Sequence, residues 1–192
     1  MFMKTILIMN QKGGCGKTML ADELIWAMER ANLTCNFSDL DAGQGSAQHK
    51  KMKFEDAEIE VVDTAGALNK AMLKCIDEAD FIIIPTLTGS SDMRPLVRMV
   101  DVIKKNNINK PVLFVFNRCN RFSLCQDFIN WFEKTYPDLK TICIDDTVSI
   151  PQAHFMGESV CVYKPNSKGA KHIERIISIV KYELGLKDRR DA

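Results

Sequence analysis

Lys12-Gly13-Gly14-Cys15-Gly16-Lys17-Thr18 decides how this chain is read. The stretch follows a strand-like run, Thr5-Ile6-Leu7-Ile8-Met9, and opens a helix-period segment that begins at Met19. That context suits a phosphate-binding loop. Glycines let the backbone fold tightly, so that N–H groups converge on phosphate oxygens. The N-terminus of the next helix adds partial positive charge. Lys17 is expected at the β- and γ-phosphates, and the Thr18 hydroxyl on Mg²⁺. Met19 completes the expected nucleotide-binding stretch. The usual pattern has Gly five residues before Gly16, where this chain has Gln11. A second lysine, Lys12, sits beside that gap. The competing reading is a chance glycine-rich turn, and three glycines, Lys-Thr and the flanking elements argue against it.

Outward from the loop, short apolar runs alternate with amphipathic segments. Strands are predicted at Thr5–Met9, Thr34–Ser38, Ile59–Asp63, Phe81–Pro85, Val112–Phe116 and Thr141–Ile144. Most are continuous and β-rich, as strands covered on both faces should be. Helices are predicted over Met19–Ala31, Met93–Lys105, Leu124–Lys134 and about Gly169 to Leu186. This alternation predicts an α/β fold: one domain, residues 1–186, with a mainly parallel twisted sheet flanked by helices on both faces. Residues 187–192 read as a polar tail.

Length and composition agree. The chain has 192 residues, 46% of them hydrophobic and 27% charged, which suits one soluble domain. The net charge of +1 excludes bulk electrostatic steering toward nucleic acid or membrane, so any such surface is a local patch. The longest strongly apolar run, Phe81 to Leu87, is too short to cross a bilayer. No signal-peptide order of segments is present, so the expected location is cytoplasmic. Seven cysteines at positions 15, 35, 75, 119, 125, 143 and 161 form no CxxC pair. Zinc or iron–sulfur ligation is therefore poorly supported, and most should be small buried residues. For Cys15 the alternative is a redox-sensitive thiol beside phosphate.

Carboxylates follow two of the strands. The second strand runs into Asp39-Leu40-Asp41, whose two carboxylates point to one side of an extended chain. In a parallel sheet, strand C-terminal ends line the ligand crevice. The third strand closes as Val61-Val62-Asp63-Thr64-Ala65-Gly66, an apolar run ending on Asp. Asp63 is expected to hold Mg²⁺ through water. No Glu follows it as an adjacent general base. Asp-Thr-Ala-Gly also occurs in Ras-like GTPases, but those need an Asn-Lys-x-Asp reader. Here the fifth strand runs into Asn117-Arg118-Cys119-Asn120, which lacks that Asp, so ATP is favoured over GTP.

KGGxGKT with its extra lysine resembles the deviant Walker A motif of the ParA/MinD superfamily. The resemblance implies that Lys12 crosses a dimer interface to the partner's nucleotide, so that ATP joins two subunits. It places Asp41 at the attacking water and Asp39 near the Mg²⁺ shell, by similarity to a DxDxQ segment. This chain departs there: Asp41-Ala42-Gly43-Gln44 lacks the usual proline and has one extra residue before Gln44. Asn117 and Arg118 match the position where such proteins use Asn at adenine. Val148–Gly157 resembles their proline-containing loop beside adenine, which nominates Pro151. Tyr163–Ala170 resembles the YxPxSKGA segment before the last helix, and Ser167 makes a sensible helix cap. Twenty-one residues lie between Asp41 and Asp63, and no helix-turn-helix domain precedes the loop, as in small plasmid-type ParA proteins.

The implied activity is an ATP hydrolase, weak alone and stimulated by a partner. ATP-bound homodimers would hold nonspecific DNA, and a ParB-like centromere-binding adaptor would trigger release. Residues 164–190 carry eight Lys/Arg against three Asp/Glu. Lys168, Lys171 and Arg175 are the candidate DNA-binding residues; the alternative is a solvated helix face. The membrane-targeting tail of MinD is not evident, so no membrane partner is expected. Two other readings stay open. One is the same engine serving conjugation or protein positioning. The other is a metabolic P-loop enzyme of dethiobiotin-synthetase type.

Overall fold

A computed structural model describes residues 3–40, 47–49, 53–66, 70–106 and 108–187, without the side chains of 70 and 71. Six strands form one sheet: β1 (Lys4–Ile8), β2 (Cys35–Asp39), β3 (Ile59–Asp63), β4 (Phe81–Thr86), β5 (Val112–Cys119) and β6 (Lys140–Asp145). Their order is β2-β3-β1-β4-β5-β6, and every pairing is parallel. β1 is central, so the chain starts in the middle, runs out to one edge and returns to build the other. The loop after β1 therefore lies where the strand order reverses, the usual ligand crevice of such sheets.

Helices cover both faces, because alternate residues of each strand point to opposite sides. Ile6, Ile8, Phe81, Ile83, Leu113 and Val115 pack under α1 (Lys17–Arg30), α5 (Ser149–Phe155), α6 (Val160–Tyr163) and α7 (Lys168–Leu184). Leu7, Ile82, Ile84, Phe114 and Phe116 pack under α2 (Lys70–Glu78), α3 (Ser90–Lys105) and α4 (Ser123–Thr135). The second layer is aromatic. Phe132 of α4 is fully buried and meets Phe114 and Phe116 at 5.2 and 5.4 Å between ring centres.

All six predicted strands form, with ends moved by a residue or so, and β5 running on to Cys119. The four predicted helices form as well. Ser167 caps α7, its hydroxyl accepting from the Ala170 N–H at 3.1 Å. The expected loop Val148–Gly157 is instead largely helix α5. Pro151 stands in its first turn, where no backbone N–H is needed, so proline is compatible with the helix. α2 and α6 were also not predicted. α7 ends at Leu184, and residues 188–192 of the expected tail lie outside the described residues.

Asp80 ties the start of β4 to β1. It accepts from the Thr5 N–H and the Lys4 ammonium, each at 2.9 Å. Burial works to raise its carboxyl, but the Thr5 N–H and Lys4 outweigh it and hold the group below the usual aspartate value. Such a group stabilises the fold above the ordinary aspartate range and loses that contribution as pH falls through its lowered value. Asp80→Asn should therefore lower the melting temperature at pH 7, with the gap to wild type closing below about pH 4. Phe132→Ala should cost ~3–5 kcal/mol in urea unfolding, because it opens a cavity among the rings of Phe114, Phe116, Trp131 and Tyr136.

Candidate functional site

The loop from β1 to α1 is held from three directions. Gly14 and Gly16 take φ of +72° and +103°, a region open to glycine at little cost. Gly16 caps α1, and a Cβ there would run into the Asn117 amide. Asn117, buried at the end of β5, donates from Nδ2 to the Cys15 carbonyl at 3.0 Å. Asn10 fixes the entry: it donates to the Pro85 carbonyl at 2.6 Å and accepts from the Lys12 N–H at 3.1 Å. From behind, Gly66 comes so near that a Cβ would stand 2.8 Å from the Gln11 oxygen. Thr64 donates to the Ile8 carbonyl at 3.0 Å, holding the Asp-Thr-Ala-Gly stretch in place.

Within the loop, Lys17 is buried and its Nζ donates to the Lys12 carbonyl at 3.3 Å. The Cys15 thiol donates to the same oxygen at 3.2 Å. Burial raises the Cys15 pKa above the ordinary thiol value, against the pull of the Lys17 ammonium. The thiol is therefore protonated at neutral pH, which argues against the reactive-thiol alternative. Gly13 has open space where a Cβ would be.

Below the loop, the Thr18 hydroxyl donates to Asp63 Oδ2 at 2.6 Å. Asp63 is 1% exposed. The β2–β3 register sets Asp39 directly beside Asp63, so both carboxylates stand at one level on one face. Hydroxyl and carboxylate oxygens are the hard donors that suit Mg²⁺, which keeps most of its sites for water and phosphate. Among the described residues, no group of three or more His, Cys, Asp or Glu could hold a metal by itself. Asp41 and Gln44 lie outside the described residues.

Lys12 turns to its own chain. Its Nζ lies 2.6 Å from Asp92 Oδ1 and 2.8 Å from the Ser91 hydroxyl. Asp92 is 2% exposed and also accepts from the Gly89 N–H at 3.1 Å, capping α3. A carboxylate this buried needs a cation or several donors, and Lys12 supplies the cation. Within the single chain, the ammonium is taken by this ion pair to α3.

Beside the loop opens a cleft of about 420 Å³. It gathers six residues nominated from sequence: Gly14, Gly16, Met19, Asn117, Arg118 and Pro151. A bulge between Phe116 and Cys119 puts Arg118 at φ +54° and lets its N–H donate to Asn117 Oδ1 at 2.9 Å. The cleft adds Ile150 and His154 from the nominated Val148–Gly157 stretch, and Asp145, Asp146 and Thr147, which sequence reasoning missed. His154 pairs with Glu23, whose own placement was the readable signal. Glu23 falls in the apolar stripe of Leu20, Leu24 and Ala27, where a charge demands a partner. Asp92 and Asn10 gave no such signal.

Lys168, Lys171 and Arg175 are exposed at helical spacing on one face of α7, with Glu174 beside them. The same helix touches a lining residue of the cleft: His172 Nδ1 accepts from the Asp145 N–H at 3.0 Å.

Iodoacetamide should label Cys15 slowly at pH 7.5 and faster only as pH rises above the ordinary thiol value, read as modified peptide by mass spectrometry.

Comparison with known proteins bears on this cleft. The family described as the CobQ/CobB/MinD/ParA nucleotide binding domain matches residues 6–158. No curated protein matches at a significant level. Among solved structures, an aspartate-to-alanine variant of Cyanothece McdA complexed with ATP superposes with a TM-score of 0.77 at 15% identity, over 96% of this chain and 97% of its own. The septum site-determining protein MinD of Pyrococcus horikoshii, complexed with Mg-ADP, gives 0.69 at 18% identity, over 96% and 98%. A plasmid partition protein from Borrelia burgdorferi gives 0.67 at 14% identity, over 95% and 100%. At such identities the likeness is one of fold. The family match spans most of the chain and includes the phosphate loop, β3 with Asp63 and the cleft wall at Pro151, so the chain belongs to the CobQ/CobB/MinD/ParA nucleotide-binding family.

Proposed function

We propose that this chain is a ParA-type ATPase that dimerises on ATP, holds DNA without sequence preference and hydrolyses ATP to drive plasmid or chromosome partition. One observation carries the reading: a second cation, Lys12, stands at the phosphate loop on a side chain 29% exposed, paired to Asp92. A loop serving one subunit already has Lys17. An additional ammonium that can exchange Asp92 for an external phosphate suits a site completed by a second copy.

In this reading the loop N–H groups and Lys17 hold the β- and γ-phosphates, and their fixed dipoles stabilise charge on the transferring group. Residues 12–19 cradle the phosphates; Asn117, Arg118 and Pro151 border adenine. Thr18, Asp63 and Asp39 would hold Mg²⁺, whose part is to neutralise phosphate charge. Asp41 orients the attacking water, a role that rests on the resemblance. Intrinsic turnover is weak until a ParB-like adaptor completes the site. Lys168, Lys171 and Arg175 contact DNA phosphates. Among the described residues, no helix is long and apolar enough to cross a membrane.

A second reading keeps the ATP-driven dimer and replaces DNA with a protein assembly. The likeness to MinD, a septum site-determining protein, supports it.

The test measures binding to random-sequence duplex DNA with no nucleotide, ADP or ATP, recording mass in the same samples, with Asp41→Ala to hold the ATP state. ATP-dependent dimers with salt-sensitive DNA binding are the expected result. Dimers that ignore DNA would favour the second reading. A monomer indifferent to both ligands would overturn the proposal. Lys12→Ala should abolish ATP-dependent dimerisation. Asp92→Asn, which releases the lysine, should shift the dimerisation midpoint to lower protein concentration, read by analytical ultracentrifugation.

A further inference from the structure

Three donors from outside α1 converge on one of its carboxylates. Glu23, in the second turn, is 1% exposed. Its Oε1 meets His154 Nε2 at 3.1 Å and accepts from the Val160 N–H at 2.9 Å. Its Oε2 accepts from the Ser159 hydroxyl at 2.6 Å. An ionised carboxylate only accepts, so the His154 nitrogen facing it carries a proton. These donors lie 131–137 residues away in sequence. They belong to α5 and to the start of α6. Trp26, nearly one turn further along α1, packs edge-on against the His154 ring at 5.2 Å between centres.

α5 is the wall that faces the loop: Ile150, Pro151 and His154 all line the cleft. α1 begins at the phosphate loop. One helix therefore starts at the phosphate side and carries the carboxylate that anchors the opposite wall. If α5 moved outward, a buried charge would lose its donors, which is strongly unfavourable. Neighbouring Asp22 serves a different segment, accepting from the Gln48 and His49 N–H groups.

We propose that Glu23 is a positioning residue for the nucleotide. It is not among the residues lining the cleft. Through His154 it holds α5 at the separation from the loop that lets one ligand span both. The proposal rests on the nucleotide reading above and deepens it. It divides recognition in two: the loop grips phosphates, and the wall anchored by Glu23 grips the base side.

Calorimetric titration with Mg-ATP and with Mg-tripolyphosphate, which has no base, tests this on the full chain. Trp131→Phe serves as the common background, leaving Trp26 the sole indole. Glu23→Gln and His154→Ala should each weaken ATP binding about tenfold and leave tripolyphosphate within about twofold of the parent. His154 sits at the cleft surface, so its variant stays folded if Glu23→Gln does not. His154→Gln, whose amide can still donate to Glu23, should recover most of the ATP affinity. Trp26 emission should change with ATP and not with tripolyphosphate. Unchanged ATP affinity in both variants overturns the proposal, and so does an equal loss for both ligands, which marks a general structural defect. A parent chain that binds neither ligand refutes the nucleotide reading itself, and the first titration shows which has failed.

Discussion

A carboxylate shut away from water has to be met by donors or a cation. That constraint organises this molecule. Asp22, Glu23, Asp63 and Asp92 are all 1–2% exposed, and each holds a different part of the molecule. Asp63 takes the Thr18 hydroxyl and so locks the start of α1 to the end of β3. Asp92 takes Lys12 and locks the loop to α3. Glu23 takes α5 and α6, and Asp22 takes the segment at Gln48 and His49. Leaving any one of them unpaired costs more than an ordinary hydrogen bond contributes. The loop and cleft are thus held by three charge-assisted junctions, and Asp22 holds a separate segment beside them.

The sheet supplies the frame in which those junctions meet. Parallel strands end at the same edge, so the loop after β1, Asp63 at the end of β3, Pro85 in β4 and Asn117 in β5 arrive together although up to 107 positions separate them. β1 lies between β3 and β4, and that central place makes its loop the one touched from both sides. Asn117 and Gly16 show how closely these pieces fit. The side-chain amide occupies the space a Cβ at position 16 would need, so the glycine there serves packing as well as backbone conformation.

Much of this was legible. Six apolar runs became six strands because buried parallel strands leave few polar positions to confuse the pattern. The loop, Asp63 and Asn117 could be nominated because each ends or follows a strand at a characteristic spacing. α5 was missed because Val148–Gly157 was read as a loop from the resemblance, whereas Pro151, standing in the first turn, is compatible with a helix. α2 is short, and α6 spans only Val160–Tyr163, too little for a period to show. The ion pair of Lys12 with Asp92 was not readable either, since α3 reaches the loop only through the order of the strands.

The sequence by itself determined the fold class, the phosphate loop and the residue types gathered around it, because these depend on local spacing, glycine conformation and hydrophobic period. Only the tertiary structure decided which partner each buried charge has. Sequence distance carries no information about that choice: Glu23 meets His154 and Ser159, more than 130 residues away, and Thr18 meets Asp63, 45 residues away. Such pairs form where the folded sheet and its helices bring them within hydrogen-bond reach and exclude the water that would otherwise satisfy each group alone.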